Sequence, residues 1–557
     1  MKNIYIILVL LFWLIFSSQI NAQDLLGGKI SGSFQLDAQT YFKDDVIGAK
    51  DVNEKILSNS FLYLNYNAGN FNAGLRYEAY LNTINGIDKL YNGSGIGYKF
   101  AEYTTDFFDA TVGNFYEQFG SGMILRAYED RQLGIDNSLE GLRFRLRPVK
   151  GIEFVGLLGK QRSFWTLGEG IVRGGNLSVS VNSLCENLLP QDYQLNLGGG
   201  VVSKYQDTKD STLPKNVLAY STRLSLSAPN FMFESEYAYK YNDPSAMNKQ
   251  DYSNGQGLML TASYFPSGFG ITANFHTVNN MDFRSDRNAT ANNLTLSFYP
   301  PLTKQHLYRL ASLYPFTTQL NGEIGIQGEV TYSIPKALFG DKYGATLTMN
   351  YSQINSVDKT PDKTAMVGDS LYIYTYNSKM FSFGNTLYFR DFSFELSKTW
   401  NPGLKTIISY VNSKYNMGVI EIKGAGFVES NIAIGEMVYS LTKKQSLRLE
   451  VQHIWTKQDD EFFLEHNDKT NGNWAFGLVE YSVAPTWFIS LYDMYNYGNI
   501  IQDKKAHYLG ANIAFIHNTT RVSLGYGRQR GGLLCVGGVC RLVPPSNGFL
   551  FSISSSF

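Results

Sequence analysis

From Asn547 to Phe557 the sequence alternates Phe549, Phe551, Ile553, Ser555 and Phe557 with Leu550, Ser552, Ser554 and Ser556, and it stops on an aromatic ring. A side-chain period of two sends these two sets to opposite faces of one strand. An apolar set that ends in a ring fits the closing strand of an outer-membrane β-barrel. There one face meets lipid, the other meets the lumen, and the last ring sits between hydrocarbon and water. Phe549, Phe551, Ile553 and Phe557 are therefore read as the signature of barrel closure.

The amino end leads to the same compartment. Lys2 precedes an apolar run from Ile4 to Phe16, and Ser17, Ser18 and Gln19 lead to Asn21-Ala22. That order is the basic, apolar and small-residue sequence of a secretory signal. The expectation is a signal peptide over 1–22, cleaved after Ala22, and a single outer-membrane barrel domain over 23–557. An uncleaved anchor would need a longer run, since a spanning helix takes about 20 apolar residues. No cysteine near the cleavage point offers a site for lipid attachment.

Past that signal no apolar stretch is long enough for a spanning helix, which excludes an α-helical membrane protein. Aromatic residues make up 15% of the chain, and Gly 52 stands against Pro 15, a balance suited to many strands joined by tight turns. Lys+Arg and Asp+Glu are both 48, so nothing in the charge balance points to nucleic acid as a partner.

Strand-like alternation runs from Lys29 to the last residue without a dividing linker. Phe71, Ala73, Leu75, Tyr77, Ala79 and Leu81 alternate with Asn72, Gly74, Arg76, Glu78, Tyr80 and Asn82. Leu447, Leu449, Val451 and Trp455 alternate with Arg448, Glu450 and Gln452, with His453 interrupting the apolar set. A soluble sandwich shares this periodicity but leaves the export signal and the aromatic terminus unexplained.

The connections fall into two kinds. Short turns at Ala68-Gly69-Asn70, Ala228-Pro229-Asn230, Pro266-Ser267-Gly268, Thr442-Lys443-Lys444, Ala484-Pro485-Thr486 and Asn518-Thr519 are assigned to the periplasm. The polar segments Lys43 to Leu57, Asp207 to Asn216, Asn242 to Gly257, Asn355 to Asp369 and Lys457 to Gly472 are assigned to external loops. The fold class is thus all-β, a large closed antiparallel transmembrane barrel of about 26 strands, in the range of roughly 22 to 28. Over Tyr299 to Tyr314, Pro300-Pro301 breaks the pattern, and the segment reads as a short helix or an irregular strand.

The densest charge on the chain comprises Glu117, Arg126, Glu129, Asp130, Arg131, Asp136, Glu140, Arg143, Arg145 and Arg147. Arg143, Arg145 and Arg147 share one strand face opposite Leu142, Phe144 and Leu146. They must point into the lumen, because each would cost about 2–4 kcal/mol at the lipid midplane. Two readings follow. The basic ladder facing acidic loop residues makes a constriction that sorts solutes by charge, or the charges cancel in a network that fixes the following loop to the wall.

Gly113 to Ser138 reads GNFYEQFGSGMILRAYEDRQLGIDNS and is followed by LEGLRFRLRP. Near the other end HYLG at His507 precedes TRVSLGYGRQRGGLLCVGGVCRLVPPSNG from Thr520 to Gly548. These segments resemble a porin-like outer-membrane barrel family of Bacteroidetes-type bacteria, a domain of unknown function, over nearly the whole mature chain. The resemblance implies barrel and location. It implies no substrate, cofactor or catalytic residue.

Three cysteines are present. Cys535 and Cys540 bracket Val536-Gly537-Gly538-Val539, and a Gly-Gly hairpin turn makes them a facing pair with Cα atoms about 4.5 Å apart, within disulfide reach. The alternative is a metal site, for which two ligands fall short of the usual zinc set. Cys185 reads as a buried small hydrophobe. Arg521, Arg528, Arg530 and Arg541 flank the hairpin, as rim charges that hold it or as contacts to lipopolysaccharide phosphates or the pore mouth.

The six histidines are scattered without a metal or catalytic spacing. Asp459 and Asp460 read as a solvated loop rather than a calcium site. The expectation is no enzyme, no cofactor and no metal. Membrane lipid and lipopolysaccharide are the expected partners, together with other outer-membrane proteins. The leading function is passive passage of small polar solutes through a loop-narrowed barrel. The alternative is a non-conducting barrel serving as a structural or accessory subunit of an outer-membrane secretion, assembly or export complex. So wide a barrel needs a filling, for which the candidates are Glu117 to Glu140, Trp165 to Gln191 and Tyr299 to Tyr314.

Overall fold

The structure, a computed structural model, describes residues 24–557 apart from 26, 186–187, 340–341, 368–369, 423, 425, 467–470 and 537–538. The segment assigned to the signal peptide lies outside the described residues.

Strands neighbouring in the chain pair antiparallel all the way round, and the sheet closes into a barrel of 24 strands. Closure is between Gly28–Thr40 and Ser546–Ser556, in register from Ser33 opposite Ser556 to Gln39 opposite Leu550. Gly32 and Phe557 exchange both backbone hydrogen bonds at 2.9 Å, so the terminal ring is anchored in the seam. The count is even and lies inside the expected range. It falls below 26 because long strands and inward loops take up chain that an average barrel would spend on another hairpin.

Alternation becomes an inside-out surface. On Phe71–Leu81, Phe71, Tyr77 and Leu81 are 41–48% exposed, whereas Arg76 and Glu78 are 2% and 1% exposed. A water-soluble sandwich would bury the opposite face, so this inversion settles the architecture. The same order recurs on Gln445–Lys457, where Val451 and Trp455 face outward and Glu450 and Gln452 are buried.

At one end the strands are joined by short turns. Gly69 takes φ +58° in the turn before Phe71, a conformation that suits tight hairpins. Outward rings gather at this end, among them Phe71, Tyr103, Phe231, Tyr264, Tyr332 and Trp487. A second set, including Tyr77, Tyr351, Trp455, Tyr526 and Phe549, sits toward the other end. Apolar side chains cover the wall between them, as in a lipid-facing belt roughly 25 Å tall.

The other end carries the long connections. Of Asn355 to Asp369, expected as a loop, the part up to Val367 instead continues the strand Ala345–Val367, and residues 368–369 lie outside the described residues. That strand pairs with Ser370–Asn401 as a hairpin rising beyond the wall, where strand pairing no longer requires an apolar face. The hairpin bends over its neighbours, stacking Phe381 on Phe275 at 5.7 Å and bonding Ser378 to Asn279. The segment Tyr299 to Tyr314 is neither helix nor wall strand. It belongs to the connection between Phe269–Asn279 and Glu323–Ile334 and has no regular structure, Pro300 and Pro301 supplying no backbone donor for one.

Candidate functional site

The chain between Phe108–Phe115 and Leu139–Leu146 turns into the lumen. Two small ladders stiffen it, Glu117–Gln118 with Arg126–Ala127 and Glu129–Asp130 with Ile135–Asp136. Its tip carries Phe119, Met123, Ile124 and Leu125, each 0% exposed, packed on inward wall residues that include Val172, Val202 and Val217.

A knot of buried charge holds the other side of this loop. Arg76 bonds Glu78 at 2.8 Å and Glu129 at 2.8 Å, and it also pairs with Asp136. Arg162 clamps both oxygens of Glu78 at 2.7 and 2.8 Å and reaches Asp136 at 2.6 Å. The two guanidinium groups and the carboxylates of Glu78 and Asp136 thus satisfy one another away from water, the condition under which buried charge is tolerated. Arg131 bonds Glu129 at 2.6 Å and Gln35 at 2.8 Å. Asp130 accepts the backbone N–H of Leu133. Arg126 lies between the rings of Tyr128 and Phe298, at 4.2 and 3.8 Å from their centres. Burial pushes the Tyr128 phenol up to about 12, and Arg126 offsets part of that rise.

Arg143, Arg145 and Arg147 form a second, wetter group. Arg143 bonds Glu102 at 2.8 Å and reaches Glu117 at 3.5 Å. Arg145 lies 3.3 Å from Glu117 and 3.7 Å from Glu153. Arg147 pairs with Asp109 at 2.7 Å and Glu153 at 3.3 Å. Glu140 is not in the lumen: it shares the strand face of Leu142, Phe144 and Leu146 and meets Lys99 at 3.7 Å. Strand parity separates it from Arg143.

Arg76, Glu78 and Arg162 were absent from the charge cluster read in the sequence. Arg76 and Glu78 already stood on the polar face of an alternating strand, and that was the available signal. Arg162 joins them only through the curvature of the barrel.

The connection 280–322 is the second inward loop. Leu310, Leu313, Tyr314 and Phe316 bury against Tyr415, Ile454 and Trp474 of the wall. Gln452 accepts the backbone N–H of Leu310 at 2.8 Å, and His306 meets Asp391 at 3.0 Å. The two inward loops join each other, with Arg126 N donating to Leu296 O at 2.7 Å and Phe298 N to Gly122 O at 2.9 Å.

The last hairpin, Gly532–Val536 with Val539–Val543, closes over them. Cys535 and Cys540 face each other with Cα atoms 4.0 Å apart and form a disulfide. Asn292 donates to Cys540 O at 2.8 Å, and Arg530 reaches Leu313 O at 3.5 Å and lies over Trp474. Arg528 holds Asp44 at 2.7 Å, and burial lowers the affinity of the Arg541 guanidinium for its proton. Arg521 is remote from this group, because it stands beside the short turn at the opposite end of Thr520–Gln529. Cys185 is exposed at the end of the short helix Val181–Leu184, a correction that follows from its place between the wall strands Thr166–Ser180 and Gln194–Tyr205 rather than within one. Asp459 caps the helix Asp460–Glu465 by accepting Phe462 N.

Below the tip of the first loop, toward the short-turn end, lies a lumen cavity of about 880 Å³. Arg147, Glu153, Arg223, Glu234 and Glu236 line it, together with Ser178, Asn196, Ser225 and Thr261. Glu236 accepts Ser121 N at 2.8 Å and so fastens the loop tip to the far wall.

Among solved structures, the siderophore receptor PirA of Pseudomonas aeruginosa is 8% identical, with a TM-score of 0.40 and coverage of 95% of this chain and 80% of that one. The P pilus usher PapC translocation pore is 9% identical, with a TM-score of 0.37 and coverage of 95% and 99%. OpdQ of Pseudomonas aeruginosa is 9% identical, with a TM-score of 0.32 and coverage of 78% and 94%. No curated protein matches the sequence. A family of unknown function matches residues 1–557, and the chain accordingly belongs to that family, DUF6029.

Proposed function

We propose that this chain is an outer-membrane barrel sealed by its own loops, acting as a non-conducting structural or accessory subunit of an outer-membrane complex. One observation carries the reading. The loop at 116–138, the connection 280–322 and the disulfide hairpin bond to one another across the long-loop end, over two buried apolar clusters. A solute would have to break that packing to cross. The lipid-type outer belt, with rings toward both ends, supports the membrane assignment, and the short turns then face the periplasm. Membrane lipid and lipopolysaccharide surround the barrel in this reading, and a protein partner meets its exposed ends.

Passive passage of small polar solutes keeps one specific support. The side chains of Arg143, Arg145 and Arg147 are 18%, 29% and 33% exposed, so the ladder retains contact with water inside the lumen. Liposome swelling separates the two readings. Vesicles holding the folded barrel should swell in isotonic arabinose no faster than empty vesicles. Swelling that rises with barrel content would overturn the sealed reading and restore the pore.

A further inference from the structure

Outside the lumen, one row of the wall carries charge where its surroundings are apolar. Arg390 stands directly across from Lys414, Lys414 across from Glu429, and Glu429 across from Lys457, on the neighbouring strands Ser370–Asn401, Leu404–Asn416, Phe427–Ser440 and Gln445–Lys457. Strand parity turns all four outward. They alternate in step with the exposed Phe392, Ile408, Tyr410, Val451 and Trp455, while Asp391, Ser413 and Ile454 between them are buried. This is not a general property of the rim. On Phe231–Lys240, Gly255–Tyr264 and Phe269–Asn279 the outward residues facing one another at the same end are Tyr239, Gln256 and Asn279, none of them charged.

The row sets three cations against one carboxylate. Lys414 holds Glu429 at 2.7 Å and lies over the ring of Phe427. Arg390 and Lys457 are exposed, and among the described residues neither has a hydrogen-bond or ion-pair partner. Gln353, across from Arg390 on its other side, is turned to Tyr351 and Asn355. Arg390 and Lys414 are thus like charges directly opposed, an arrangement that destabilises a strand pair. An anion resting on both relieves it.

Height along the wall selects the anion. Lys414 stands about ten residues beyond Leu404, the first strand residue after a short turn, and a tilted strand crosses hydrocarbon in about 9–11 residues. The row therefore lies at the headgroup level of the leaflet away from the short turns. Phe392 and Trp455 lie just below it, and Tyr410, Ile408 and Val451 continue the exposed apolar wall downward. A molecule with an anionic head and acyl chains gains from both surfaces, whereas a free anion gains only from the cations.

We propose that Arg390 and Lys414, with Lys457 beside them, bind the phosphate of a lipopolysaccharide molecule in the outer leaflet, its acyl chains lying on Phe392, Tyr410 and Ile408. The proposal rests on the membrane reading above, in which the short turns face the periplasm, and it holds whether or not the lumen conducts. It also moves the expected lipopolysaccharide contact away from Arg521, Arg528, Arg530 and Arg541.

The test is equilibrium binding of monophosphoryl lipid A to the folded, detergent-solubilised barrel by native mass spectrometry, beside the dephosphorylated lipid and inorganic phosphate. Monophosphoryl lipid A should bind saturably and about tenfold tighter than the dephosphorylated form. The double variant R390Q/K414Q should lose that preference in a barrel of normal heat-modifiable mobility, and R521Q should keep it. Equal binding of the two lipids to the native chain, or a preference unchanged in R390Q/K414Q, would overturn the site. Inorganic phosphate binding as tightly as the lipid would overturn the lipid as its occupant. Orientation is read separately: Lys457→Cys in a C185S chain should react with a membrane-impermeant maleimide on intact cells. Reaction only after the outer membrane is breached, with lipid binding intact in detergent, would overturn the leaflet and spare the cation row.

Discussion

The two inward loops occupy the same lumen but are held by different forces. Residues 116–138 are fixed on one side by charge taken out of water, through Arg76 and Arg162 on Glu78, Glu129 and Asp136. The connection 280–322 is fixed chiefly by apolar contact, through Leu310, Leu313, Tyr314 and Phe316 on Tyr415, Ile454 and Trp474. Charge demands every partner, because one deletion leaves an opposite charge stranded. Apolar contact fails by degrees, as a cavity can partly collapse. The first loop should therefore behave as a latch and the second as a wedge.

Arg162→Ala should show the largest effect. It strips the partner from Glu78 Oε2 and leaves Oε1 and Asp136 with Arg76 as the remaining guanidinium, a loss of about 3–5 kcal/mol for a broken buried pair. The release should be local. Protease should cut within 116–138 in a barrel that still shows heat-modifiable mobility, and an uncut loop would mean that the charge knot does not hold it.

Leu310→Ala tests the wedge. Removing a fully buried leucine should cost about 2–5 kcal/mol, read as earlier denaturant-induced exposure of 280–322 while 116–138 stays protected. If both loops open together in either variant, they are one cooperative unit and the contrast between them fails.

Cys535→Ser should cost less, about 2 kcal/mol for so short a loop. Its effect should fall on the contacts of Asn292 and Arg530 with the hairpin rather than on the wall. In the native barrel only Cys185 should alkylate, and Cys535 and Cys540 should label only after reduction. Smallest of all is Arg145→Glu. Arg145 is partly wet and its pairs are 3.3 and 3.7 Å long, so the change should cost about 1 kcal/mol or less in a urea titration.

How much of this was legible in the sequence depends on how local each signal is. The wall strands follow a period of two, and lipid enforces that period on every one, so Phe71–Leu81 and Ser546–Ser556 could be read residue by residue. The cysteine pair was equally local, set by a spacing that places Cys535 opposite Cys540 on adjoining strands, while the Gly537-Gly538 turn itself lies outside the described residues. Asn355 to Asp369 misled because its polarity suits a loop and also a hairpin standing clear of lipid. The charge knot was legible only in half. Glu129 and Asp136 sit in one dense run, but Arg76 and Arg162 come from separate strands that meet only when the sheet closes.

Single-channel recording of the folded barrel in a planar bilayer tests the sealed lumen most directly. The account predicts a silent baseline for the native chain and the appearance of stable current steps in Arg162→Ala, where the first loop is unlatched. Reproducible steps from the native chain, unchanged by Arg162→Ala, would contradict it.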